Sequence, residues 1–133
     1  MAQSPEAKGD TRRLRRARAS FLFMLSVWCL GAGVLSVGVG FGNTGPRQAA
    51  YHYAGVADIA VALVTFALSA ALYRKRSWLL ALLPIVLCIA SQIYCSLVVD
   101  TPLAQKLIGL GVRLFFGFLV VASMSEGASE RST

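Results

Sequence analysis

The sequence predicts an all-α membrane protein, a four-transmembrane-helix antiparallel bundle with an N-in/C-in orientation. Three observations lead there. Of 133 residues, 56% are hydrophobic and only 14% charged, whereas a soluble domain has about 45–50% apolar and about 25% charged residues. That apolar excess is more than so small a core can bury, which makes lipid the missing solvent. The charges are also segregated: none occurs in the 28 residues between Arg18 and Arg47, nor in the 23 between Arg76 and Asp100. Each stretch exceeds the ~20 residues that cross a bilayer as a helix. The third observation is an asymmetry of basic residues, which sets orientation.

Residues 1–18 read as a basic, mostly disordered cytoplasmic leader, with Arg12, Arg13, Arg15, Arg16 and Arg18 ahead of the first apolar run. A cleaved signal peptide does not fit, because that run outlasts an h-region of about 7–15 residues and ends without an A-x-A-like site. Arg12-Arg13 is followed by more arginine, not by the hydrophobic step of a twin-arginine signal, and Glu6 and Asp10 disfavour a mitochondrial presequence. Without interleaved aromatics the arginines do not resemble a nucleic-acid arm, so no nucleic-acid partner is expected. They read as a positive-inside anchor that touches anionic headgroups.

The transmembrane domain, residues 19–124, divides into spans near 20–42, 49–73, 77–99 and 103–124. The second and fourth each tolerate one interior charge, Asp58 and Arg113. Asn43-Thr44-Gly45-Pro46, Arg74-Lys75-Arg76 and Asp100-Thr101-Pro102 are short, polar links rich in helix breakers. Links this short make each helix antiparallel to the next. The apolar runs are continuous, not alternating, which selects helices over barrel strands. Residues 125–133 read as a disordered cytoplasmic tail. With the N-terminus inside, ten of the thirteen basic residues lie on the cytoplasmic side and only Arg47 and Lys106 on the other, as the positive-inside rule requires. The pattern favours a bacterial inner membrane, although a eukaryotic endomembrane imposes the same rule.

Spacings of three and four place small and polar residues on one stripe of each span. The stripes are Ser26, Cys29, Gly33, Ser36 and Gly40; Tyr51, Ala54, Gly55, Asp58, Ala62, Thr65 and Ser69; Pro84, Cys88, Ser91, Gln92 and Cys95; and Lys106, Gly109, Arg113, Gly117 and Val120. Such stripes let helix backbones approach closely in lipid. Gly38-x-x-x-Gly42 is a weak dimerisation signal.

Asp58 and Arg113 violate the solvent they sit in, each at a cost of about 2.5–3.5 kcal/mol at mid-bilayer. At ~1.5 Å per residue they lie roughly 14 and 15 Å from the outer boundaries at residues 49 and 103, level with one another. An Asp58–Arg113 ion pair is therefore expected, with Gly109 and Gly117 making room for the guanidinium and Gln92, Thr65 or Ser91 adding hydrogen bonds. Its role is a register clamp, a site for an ion, proton or polar solute, or a contact with another subunit.

Near the outer surface His52, Asp100 and Lys106 cluster by depth, and His52 belongs with Tyr51 and Tyr53 in an interfacial aromatic belt. Cys29 and Cys88 lie at comparable depth; three cysteines buried in lipid read as free thiols. No spacing matches a zinc, redox, nucleotide or nucleophile motif, so neither an enzyme nor any cofactor or metal is expected. The leading functional reading is a non-enzymatic accessory, assembly or scaffolding subunit that meets a membrane partner or a second copy through lateral helix contacts. The alternative is a small oligomeric transporter or channel using Asp58 and Arg113.

Overall fold

The computed structural model describes residues 5–75, 77–99 and 102–132, with side chains from 12 onward to 125. It holds four helices, α1 (Pro5–Phe41), α2 (Pro46–Arg74), α3 (Trp78–Val98) and α4 (Leu103–Ser132), and no strand among the described residues. All four are long and apolar enough to cross a membrane, with mean hydropathy of 2.0 to 2.1 over their most apolar windows.

Helix boundaries differ from the sequence expectation at both ends of the chain. The basic leader is helical from Pro5, continuous with the first span, and α4 runs on to Ser132. Both extensions elongate an existing helix, which adds one hydrogen bond per residue without a new nucleus, and the leader from Pro5 to Arg18 brings five arginines and two alanines, which favour helix. At the second span, Pro46 begins the helix and does not belong to the link. A proline at the first helical position loses no hydrogen bond, since that N–H has no intrahelical acceptor. Gly45 precedes it at φ 68°, a left-handed backbone that favours glycine. At the other side of this link Asn43 Nδ2 donates to the Val39 carbonyl at 2.9 Å and closes the last turn of α1.

Each helix packs on its neighbours in sequence, and α4 also packs on α1. The α1–α2 contact is the closest because it is made through glycine: a Cβ on Gly33 would stand 2.7 Å from the Gly55 carbonyl oxygen, and one on Gly55 2.5 Å from Val37 Cγ2. Ser26 Oγ donates to the Ala62 carbonyl at 2.8 Å and Ser36 Oγ to the Tyr51 carbonyl at 3.0 Å, securing that seam. Gly38 has nothing near it and Gly42 meets only its own helix, so this pair makes no helix contact within the chain. Leu22, Leu25, Val120 and Met124 join α1 to α4 in a core shared with Leu72, Ala81, Ile85 and Cys88.

The pattern is small and polar inward, bulky and apolar outward. In α2 the buried residues are Ala54, Gly55, Asp58, Ala62, Thr65, Ser69 and Leu72. Leu35, Leu79, Leu97 and Phe118 stand among many large apolar side chains on the outer surface. Exposed apolar area on this scale has no place in water and marks a surface covered by lipid or protein.

Candidate functional site

The interior polar residues converge on one centre that joins all four helices. Asp58 of α2 and Arg113 of α4 are 3% and 1% exposed, and Arg113 Nη2 lies 3.0 Å from Asp58 Oδ2. The other terminal nitrogen, Nη1, donates to the Cys88 carbonyl of α3 at 2.6 Å. Ser91 Oγ donates to Asp58 Oδ1, and the Cys95 thiol lies 3.7 Å from Oδ2 and 3.5 Å from the Ala54 carbonyl. The carboxylate thus faces three protein donors. A buried charge persists only when its lone pairs and protons are matched in this way.

Cys88 is the point where the helices meet. Its thiol sits 3.4 Å from Cys29 Sγ of α1 and 3.6 Å from Thr65 Oγ1 of α2, while its carbonyl accepts from Arg113 of α4. Cys29, Cys88 and Cys95 are all free thiols. Among the described residues, Arg113 Nε and His52 Nε2 are buried without a hydrogen-bond partner.

Several sequence expectations are redirected. Ser91 joins Asp58, but Thr65 turns to Cys88, and Gln92 Nε2 donates to Ser96 Oγ at 3.3 Å. Gly109 and Gly117 do not serve the guanidinium. A Cβ at Gly109 would meet Gln92 Oε1 at 3.0 Å, and one at Gly117 would meet Ile85 Cγ2 at 3.0 Å. These glycines admit side chains of α3 and so bring α3 and α4 together. Of the outer cluster, His52 is seated on α1, its ring centroid 4.8 Å from that of Phe41 and its edge where a Cβ on Gly40 would be. Lys106 instead lines a cleft together with Tyr51, and Asp100 lies outside the described residues.

Arg18 has a role that the charge pattern did not disclose. It is buried, and its Nε donates at 3.0 Å to the carbonyl of Leu72 in the last turn of α2. That carbonyl has no intrahelical donor, and a cation is favoured at a helix C-terminus. The signal was present: stepping back by four from Ser26 on the α1 stripe reaches Leu22 and then Arg18.

Beside the centre runs a cleft of about 560 Å³ between α1 and α4. Val39, Tyr51, Val99 and Lys106 stand at one end, near the 42–45 and 99–102 links, and Met24 and Phe116 at the other. Asp58, Gln92, Cys95 and Ser96 form its inner side. No family model, no curated protein and no solved structure matches the chain.

Proposed function

We propose that this chain crosses the membrane four times as an antiparallel bundle, with both ends on the cytoplasmic side, and works as a non-enzymatic accessory, assembly or scaffolding subunit that recognises a membrane partner through its helix faces. The observation that carries the reading is the engagement of the central charged pair by neighbouring helices. Asp58 is held by Ser91, Cys95 and Arg113, and Arg113 also by the Cys88 carbonyl. Apart from Arg113 Nε, which has no partner, the pair's polar atoms are engaged across α2, α3 and α4, and such a pair fixes helix register, the best-attested use of buried polar groups.

Two further features support it. The links between helices span four, three and four residues, too short to fold into domains, which leaves the helix faces and the two tails as recognition surface. Arg12, Arg13, Arg15 and Arg16 are exposed in the N-terminal third of α1, suited to anionic headgroups on the basic side. The test is extraction of a tagged chain from its native membrane in mild detergent. A stoichiometric membrane protein should co-purify, and its complex should be lost on deletion. A chain that runs alone, with every complex intact after deletion, overturns the reading.

Transport is the second reading, favoured by the cleft that reaches Asp58. It ranks below the first because the carboxylate is occupied and because Leu22, Leu25, Leu72, Val120 and Met124 fill the other half of the bundle. Proteoliposome flux that is present in the wild type and lost in Asp58→Asn would reverse the order.

A further inference from the structure

The cleft between α1 and α4 is a long slot whose length and lining select its occupant. Met24 lies about 25 Å along α1 from Phe41, and Phe116 about 20 Å along α4 from Leu103, at ~1.5 Å per residue. The cleft holds about 560 Å³ and runs for about 20 Å, long enough for one extended hydrocarbon chain to lie along it.

Its walls and its charge point the same way. Val27, Leu35 and Val39 line the slot and are also exposed on the outer surface of the bundle, so the slot opens sideways onto the region that acyl chains occupy. Lys106 is the cation among its lining residues and sits at the link end, three residues into α4. Gln92 and Ser96 lie below it, about 9 Å and about 3 Å from the end of α3. The one acid of the lining, Asp58, is already paired with Arg113. A cation at the mouth, the Gln92 amide beneath it and an apolar channel beyond are arranged in the order of a lipid's own parts.

We propose that this slot binds one anionic lipid from the leaflet at the 42–45 end, its headgroup on Lys106, its ester region on the Gln92 amide, and one chain along Trp28 and Phe116. The site goes beyond the accessory reading and does not depend on it. Trp28 lines the slot and Trp78 does not, so a Trp78→Phe protein carries its one tryptophan at the slot. That protein is reconstituted in phosphatidylcholine vesicles, into which phosphatidylglycerol with brominated chains is titrated against brominated phosphatidylcholine as reference.

Quenching of Trp28 should show phosphatidylglycerol enriched about five-fold, the discrimination of one interfacial lysine. Lys106→Gln should remove the preference. Gly31→Leu should remove it as well, because a side chain there meets open space in the slot and fills it; Gly38→Leu, equally open but outside the slot, should preserve it. Equal quenching by both lipids in the starting protein overturns the proposal. So does a preference that survives both Lys106→Gln and Gly31→Leu in proteins of unchanged helicity. Displacement of the brominated lipid by glycerol phosphate alone would show a bare anion site and equally overturn it.

Discussion

Two residues test how the interior is held. Asp58→Asn keeps the shape of the side chain but leaves Arg113 buried without its countercharge, and loss of one partner of a buried pair costs about 3–5 kcal/mol. The expected outcome is a clearly lowered unfolding temperature in mild detergent; a variant as stable as the wild type would remove the register role. Arg18→Ala should cost at least about 1–2 kcal/mol, because it deletes the charged hydrogen bond to the end of α2. Hydrogen exchange checks it directly: protection should fall in the last turn of α2 before it falls elsewhere. Asp58 and Arg113 were legible because a charge inside an apolar run announces itself. Cys88 as the meeting point was not, since neither a thiol nor a backbone carbonyl carries any mark in sequence of what a neighbouring helix brings to it.

At the level of elements, α1 and α2 are joined through glycine, and the consequences differ by position. Gly55→Leu places atoms where Val37 and the Gly33 carbonyl already are, at 2.5 and 2.7 Å from a Cβ. Overpacking of this kind costs about 1–3 kcal/mol, and here the obstructing atoms include backbone. The variant should lose thermal stability and push the helices apart, read as faster reaction of Cys29 with a membrane-permeant maleimide. Gly38→Ala should change neither measurement. The glycine stripes were readable from spacing, but not which glycine meets a helix. Gly33 and Gly38 are alike in sequence, and only the rotation of α1 about its axis separates buried from open. Helix ends were the less legible part, because Pro46 reads as a breaker in a link and acts as a helix start.

For the molecule as a whole, the orientation and the clamp make separate predictions. Reporter fusions at residue 45 should give an extracytoplasmic signal and those at residue 75 a cytoplasmic one, given ten basic residues against two; a cytoplasmic signal at 45 overturns the orientation. The double variant Asp58→Leu with Arg113→Met removes both charges and leaves apolar volume in their place. Such replacements range from neutral to about 4 kcal/mol stabilising. If the pair is a clamp, this protein should refold, match or exceed wild-type stability and still assemble with its partner. If the pair serves a solute, the double variant should be stable and inactive in flux.

The sequence by itself determined the helical class, the number of apolar segments and the two charges that had to find partners. These follow from local quantities: the length of an uncharged run, the period of small residues and the cost of a charge in lipid. Tertiary structure alone decided that Cys88 joins four helices, that Arg18 closes the end of α2, that Gly109 and Gly117 serve α3 and not the guanidinium, and that α1 and α4 part to leave a slot. Each of these depends on the rotation and separation of helices distant in sequence. Periodicity names the face a helix turns inward, but not the atom it meets there.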